Sequence, residues 1–352
     1  MDLNMQGKFR GSLLGLAYAD ALGAGYEFFK GKIDEDEKID FIEVPKITAH
    51  KKYEWTDDTA MTFLTLKAMK RNTSDDMLDI RELEVDYELL SELFIQWYKG
   101  APDKGMHTYN VLSQTEAYKK EYSNEKEVMQ KIAQEITNAN PMTAGNGGLM
   151  RIAAGILLLK HTGKDNKPFW EELNYVMNTA SELNNLTHPH KDSEACCKIF
   201  LCLLIAIINQ NNGGFNFVTS TKEDFRNSSV QWLNELESGK YGRSIGEAWE
   251  CDLNSLNPNR YVITTLALAL GAIYQTWDDG ISPKEHYINT IHKCIRVGDD
   301  TDTTSAVAGA MVGAIYGEEC LPDDINKIHG YAGEKFEHVT YEDMVNTINA
   351  LL

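Results

Sequence analysis

The chain reads as an all-α protein, and three observations carry that reading. Apolar residues recur at helical spacing along most of the 352 residues. Strand-like alternation is scarce. Two segments carry small residues every fourth position, which places them on one helix face. The periodicity predicts helices over 7–24, 59–71, 84–99, 108–121, 124–137, 148–161, 169–184, 191–209, 261–276, 284–295, 303–316 and 341–351. These fit one compact multi-helix domain over 1–352.

In order along the chain, GSLLGLAYADALGAG sets Gly11, Gly15, Ala19 and Gly23 in a stripe on the first helix. Such a stripe lets another backbone come close. Residues 30–54 are rich in Lys, Asp and Glu and read as a polar excursion. KDSEACCKIFLCLLIAII reads as a buried helix. Residues 209–260, rich in Asn, Ser and Gly, are too long for bare loop, so short helices are expected inside them. The closing helix repeats the stripe at Gly309 and Gly313, and both segments read as closely packed, buried central helices. No period of 20–50 residues repeats, which excludes a solenoid.

The formal net charge is −19, with charged residues at 25%. Phosphate-backbone binding wants a basic face, and an anionic membrane surface repels an acidic chain. Nucleic acid and membrane are therefore not expected partners. The longest apolar run, 199–208, falls well short of the roughly 20 residues that span a bilayer. The N-terminal MDLNMQGKFRG lacks the pattern of a secretory leader. Six cysteines lack zinc-like spacing and read as reduced core thiols, in keeping with a cytoplasmic protein. A monomer is expected.

The chemistry sits in two acidic clusters. EWTDDTAMTFLTLKAM (54–69) and VGDDTDTTSAVAGAMVGAIYG (297–317) share one grammar: Thr and Asp crowd together, then an apolar helix begins. Helix capping explains either cluster alone. A cap needs one oxygen, however, and each cluster offers several. If the two helix starts face each other, Asp57, Asp58, Asp300 and Asp302 meet. Packed together they repel, so some take up protons or a cation balances them. Oxygen ligands without Cys or obligatory His favour magnesium, manganese or calcium. Thr56 and Thr303 can add hydroxyl oxygens. Two divalent cations would balance four carboxylates, as in paired-metal hydrolytic sites.

With those motifs stated, the chain resembles the ADP-ribosylglycohydrolase family over nearly its whole length, most closely its dinitrogenase reductase-activating and bacterial ADP-ribosylarginine-hydrolysing members. GSLLGLAYADALGAGYEF resembles the family's opening helix, ending in Glu27. WTDDT and GDDTDTTSAVAGAMVGAIYG resemble its two metal motifs. KGAPDKG resembles the loop that carries an active-site aspartate, here Asp103. AGNGGLMRIAAG resembles its phosphate-approaching glycine segment, and LTHPH its Thr-His motif.

The resemblance implies an all-α fold around a cleft with two magnesium or manganese ions. Their ligands would be Thr56, Asp57, Asp58, Asp300, Asp302 and Thr303. The cations would hold the distal ribose hydroxyls and align a water that attacks the anomeric carbon, releasing the guanidino group of an ADP-ribosylated arginine. Glu27, Asp103 and Asp302 are the catalytic candidates, with the split of roles between Glu27 and Asp103 open. Asn146, Gly147 and Gly148 would approach the ADP-ribose diphosphate, since glycines before a helix let backbone N–H groups reach an anion. His188 and Tyr261 would complete the substrate side.

Three departures from the family pattern stand out. Ala19 replaces a glycine before Asp20. Asp299 stands where many members carry glycine, as an acid just outside the ligand set or a plain turn residue. Asn257, Pro258, Asn259 and Arg260 replace small residues before Tyr261, on the side where the acceptor would lie. Another acceptor (serine, a nucleobase or an O-linked group) and an ADP-ribose-binding or toxin-immunity protein remain alternatives.

Overall fold

The structure is a computed structural model, and it describes all residues except 1–2, 28–32, 35, 43–50, 72–82, 119–123, 141, 159–168, 211–216, 240 and 257–258. Its α-helices are α1 (Leu3–Gly23), α2 (Asp57–Lys67), α3 (Tyr87–Gly100), α4 (Met106–Tyr118), α5 (Glu125–Ala139), α6 (Phe169–Asn185), α7 (Lys191–Asn209), α8 (Lys222–Glu235), α9 (Gly242–Gly246), α10 (Val262–Thr276), α11 (Pro283–Val297), α12 (Thr301–Tyr316) and α13 (Tyr341–Leu351). Among the described residues the strands form two short antiparallel pairs: β1 (Met69–Arg71) with β2 (Leu83–Val85), and β3 (His329–Gly330) with β4 (Val339–Thr340). The all-α expectation holds.

The centre of the fold is the seam between α1 and α12. A Cβ on Gly309 would lie 2.5 Å from the Gly15 carbonyl oxygen, and one on Gly15 would lie 2.7 Å from the Gly309 oxygen. Both helices must show glycine there for the backbones to touch. The seam continues to Gly23, where a Cβ would lie 2.8 Å from the Asp302 nitrogen. The stripe predicted on the first helix therefore runs straight to the second acidic cluster. The helix read from KDSEACCKIFLCLLIAII, α7, is buried along most of its length, as its unbroken apolar run requires.

Three predicted helices change at their ends or in kind. The helix expected over 59–71 stops at Lys67, and Met69–Arg71 turns into β1. The helix expected from 84 begins at Tyr87, because Leu83–Val85 pairs with β1 and the Asp86 carboxylate caps the next turn by accepting from the Leu89 N–H at 3.1 Å. The segment expected as α-helix over 148–161 is 3₁₀ over Leu149–Leu158 and lies outside the described residues beyond that. Ten residues is long for this geometry. Every one of them is buried, and a Cβ on Gly155 would lie 2.9 Å from Leu201, so a thinner helix suits the space. Short helices occupy the polar stretch after 209, as expected. Phe28 and much of the 30–54 excursion, together with Asn257 and Pro258, lie outside the described residues.

Candidate metal centre

The first cluster is organised by a residue that the sequence marked only as the neighbour of Ala19. Asp20, fully buried on α1, accepts four hydrogen bonds from the start of α2. The Thr56 N–H donates at 3.0 Å and its hydroxyl at 2.8 Å. The Thr59 N–H donates at 2.9 Å and its hydroxyl at 2.5 Å. Burial raises the Asp20 pKa, and those donors pull the other way. Its partners lie 36 and 39 positions away, so only its place beside the glycine stripe, one turn before Gly23, could have flagged it.

Asp57 and Asp58 open α2 and diverge. Asp57 accepts from the Gly105 N–H at 3.2 Å, which ties α2 to the loop holding Asp103. Asp58, fully buried, faces the second cluster, where the Thr303 hydroxyl reaches its Oδ2 at 3.3 Å. The Thr56 hydroxyl lies at the same 3.3 Å, but its single proton serves Asp20 at the shorter distance. Asp58 Oδ1 has no hydrogen-bond partner among the described residues.

The second cluster is held by amides. After α11 the chain turns through Gly298 (φ 83°) and Asp299 (φ 63°). Asn259 bridges that turn: its Nδ2 donates to the Gly298 carbonyl at 3.1 Å, and its Oδ1 accepts from the Asp300 N–H at 3.1 Å. Asn146 donates to Asp300 Oδ2 at 2.7 Å. Asp302 Oδ1 accepts from the Thr303 N–H at 2.9 Å. The Thr301 hydroxyl donates to the Gly23 carbonyl at 2.8 Å, locking the start of α12 onto the end of α1.

Two groups of carboxylates result. Asp20, Asp58 and Asp302 each bring an oxygen within 4.8 Å of the others, and so do Glu27, Asp103 and Asp302. Asp302 belongs to both. The four-carboxylate meeting expected from the sequence is thus two linked groups, with Asp57 and Asp300 beside them. Burial first, then Asp103, pushes Glu27 up to about 10 and Asp57 up to about 7. Asp58 and Asp302 rise well above the carboxylate range through burial and their acidic neighbours.

The residues fit a divalent cation on a test independent of charge counting. Glu27 Oε2 and Asp58 Oδ1 are buried and lack any hydrogen-bond partner among the described residues. A buried carboxylate oxygen left so is costly, and a hard cation would satisfy both in an all-oxygen setting. The six expected ligands Thr56, Asp57, Asp58, Asp300, Asp302 and Thr303 are all buried in this region.

Among the residues expected to meet substrate, Tyr261 pairs with neighbouring Gly145 in an antiparallel bridge, and the Val262 N–H donates to the Ala144 carbonyl at 3.0 Å. Asn146 spends its side-chain amide on Asp300 and, at 3.1 Å, on Thr265, so its side chain serves the acid cluster. Gly148 packs against Asn184, and Gly147 packs against the ring of buried His188. Tyr261 is 42% exposed, which sets it apart from a core tyrosine, and its hydroxyl donates to Asp192 at 2.9 Å. Asp103 is half-buried and accepts from the Lys104 N–H at 2.8 Å.

Two of the departures from the family pattern prove to be partners. Arg260 meets Asp299 with Nε at 3.1 Å and Nη2 at 2.5 Å from Oδ1. The positive φ of Asp299 is a conformation that glycine adopts at the least cost.

An α-helical fold closed around shared carboxylates defines a class, and comparison with known proteins agrees. The ADP-ribosylglycohydrolase family profile matches residues 1–349, and the chain belongs to that family. It is 23% identical over 329 residues to the ADP-ribosylarginine hydrolase Tri1 of Pseudomonas putida (strain GB-1), covering 90% of this chain and 72% of that one. It is 25% identical over 345 residues to the ADP-ribosylhydrolase ARH3 of Gallus gallus, covering 90% and 87%. A solved structure titled ADP-ribosylglycohydrolase-related protein complex superposes with a TM-score of 0.63 at 20% identity, covering 99% of this chain and 98% of that one, and shares its fold. No described helix is long and apolar enough to cross a membrane.

Proposed function

We propose that this chain is a metal-dependent hydrolase that cleaves the N-glycosidic bond of mono-ADP-ribosylated arginine in proteins and releases ADP-ribose. The observation that carries the reading is the pair of carboxylate groups sharing Asp302, with its two unsatisfied buried oxygens. In this reading Thr56, Asp57, Asp58, Asp300, Asp302 and Thr303 hold two magnesium or manganese ions, and Asp20 holds Thr56 in place. Bound cations would neutralise the cluster and supply Lewis-acid polarisation. Glu27 and Asp103 take or return the proton of the attacking water, and the clustered carboxylates stabilise positive charge developing on the sugar. The glycine segment at 146–148 and His188 receive the diphosphate. Tyr261 flanks the bound ligand. An acidic cleft on a chain of net charge −19 suits a cationic guanidino leaving group, and the relative named for arginine agrees.

One observation favours a second reading with the same chemistry and another acceptor. Arg260 reaches Asp299 beside the acid cluster, and its charge is felt at Glu27. A resident guanidinium there works against an arginine acceptor. The experiment is release of ADP-ribose from arginine-, serine- and nucleobase-linked conjugates, with and without magnesium or manganese. Metal-dependent release from the arginine conjugate is expected. Release only from another conjugate moves the assignment to that acceptor, and none from any ends the hydrolase reading.

A further inference from the structure

The corner between α6 and α7 contains a hydrogen-bond relay that sets which ring nitrogen of His188 carries its proton. Arg151 lies fully buried in the 3₁₀ helix, its guanidinium 5.0 Å from the Phe94 ring. Its Nη2 donates to the Leu183 carbonyl at 3.1 Å and to the Thr187 hydroxyl at 2.8 Å. A guanidinium only donates, so at this contact the hydroxyl accepts. The Thr187 hydroxyl keeps one proton of its own, and His188 Nδ1 lies 2.7 Å away. If Nδ1 carried a proton, it and Arg151 would both donate to the hydroxyl. The hydroxyl proton would then have no acceptor among the described residues, at a fully buried position. The arrangement that uses every proton has Thr187 donating to a bare Nδ1.

The backbone of Thr187 is clamped as well. His107 Nε2 lies 2.7 Å from the Thr187 carbonyl, which only accepts, so His107 carries its proton on Nε2. The two imidazoles lie 4.5 Å apart between centroids, tilted by 48°. Burial, His107 and Arg151 together hold His188 well below the ordinary histidine pKa, in the neutral form. Its Nε2 then carries the ring's one proton. That edge faces the glycine segment: a Cβ on Gly147 would sit 2.8 Å from Nε2, and one on Gly145 would sit 3.9 Å away.

We propose that Arg151 and Thr187 are positioning residues that fix His188 as the Nε2–H tautomer, so that it offers a donor to a phosphate oxygen of ADP-ribose on the 145–148 segment. The opposite tautomer would turn a lone pair toward the anion. The ligand named here rests on the functional reading above; the tautomer does not.

The test is nitrogen-15 NMR of the His188 ring in the full chain at neutral pH, before and after ADP-ribose is added. Protonated Nε2 and bare Nδ1 are expected in the wild type, with the Nε2 signal moving when ADP-ribose binds. Thr187→Val should weaken ADP-ribose binding by about 10-fold, the loss of one hydrogen bond to a charged group, and raise KM far more than it lowers kcat. Thr187→Ser should restore both. A wild-type His188 protonated on Nδ1 overturns the relay without recourse to any variant. An Nε2 signal indifferent to bound ADP-ribose overturns the contact. Wild-type protein that binds ADP-ribose but hydrolyses no conjugate would end the hydrolase reading and leave this inference standing.

Discussion

The starts of α2 and α12 look alike in sequence and are built differently. Each is a Thr-Asp cluster running into an apolar helix. At α2, Thr56 does cap the helix, accepting from the Asp58 N–H at 3.4 Å. It is itself gripped by an acid, Asp20, which also takes Thr59. At α12, Asp300 sits at the cap position and its side chain makes no capping bond. It turns instead to Asn146, while Asn259 holds the turn before it. One cluster hangs from a buried charge and the other from neutral amides. A buried charge with four donors is a stronger but more brittle anchor, since removing either side strands the other.

The sharpest way to break the comparison is Asp302→Asn, which strikes the residue common to both carboxylate groups. Loss of about 10²–10³ in kcat is expected, on the scale of losing one electrostatic group at a reacting centre. The fold should survive, as read by thermal melting and circular dichroism.

Asp20→Asn comes next and separates the two anchors. The new amide would keep one accepting oxygen and turn its NH2 group at the donors of either Thr56 or Thr59. A stability loss of about 3 kcal/mol is expected, measured by urea unfolding. Asn259→Ala, on the amide side, should cost about 1–2 kcal/mol. Equal losses at the two sites would erase the distinction.

A third outcome concerns pH. Glu27 and Asp57 are raised to about 10 and about 7 by burial and by Asp103. The folded chain therefore holds protons that the unfolded chain releases. The stability this contributes is complete below about pH 4 and is lost as pH rises through 7 and on toward 10. Metal-free protein should melt at progressively lower temperature across that range. Added magnesium or manganese should raise Tm more at about pH 8.5 than at about pH 5.5. A flat profile would mean that the acids do not sense one another.

The smallest effect lies at the Arg260–Asp299 pair, which is part-exposed at 59% and 12% of side-chain area. A double-mutant cycle with Arg260→Ala and Asp299→Gly should return a coupling of about 0.5–1 kcal/mol. The glycine also removes the strain of a positive φ, so Asp299→Gly alone should be close to neutral in stability.

How far the sequence could be read follows the range of the interactions. Helices with a strong period appear at nearly their predicted bounds, because periodicity reports burial directly. The misses lie where pairing overrode the pattern, at Met69–Arg71 and Leu83–Val85, and where tight packing thinned a helix, at Leu149–Leu158. Both acid clusters were legible, since they offer more oxygens than a cap can use. Their supports were not. Asp20 stands in the sequence only as the neighbour of Ala19, and Asn259 only as one of four residues before Tyr261. Each takes its meaning from partners 36 or more positions away. The partnership of Arg260 and Asp299 was hidden for the same reason, although each had stood out alone.

The glycine seam bears on how far the acid cluster can open. Backbone touches backbone from Gly15 and Gly309 up to Gly23 and Asp302. Spreading the segment leading to Glu27 from the helix carrying Asp302 would open that backbone contact. Magnesium takes oxygens at roughly 2.0–2.1 Å and calcium at roughly 2.3–2.6 Å. Were the cleft to hold a divalent cation, a gap bounded by two glycine backbones would discriminate by radius.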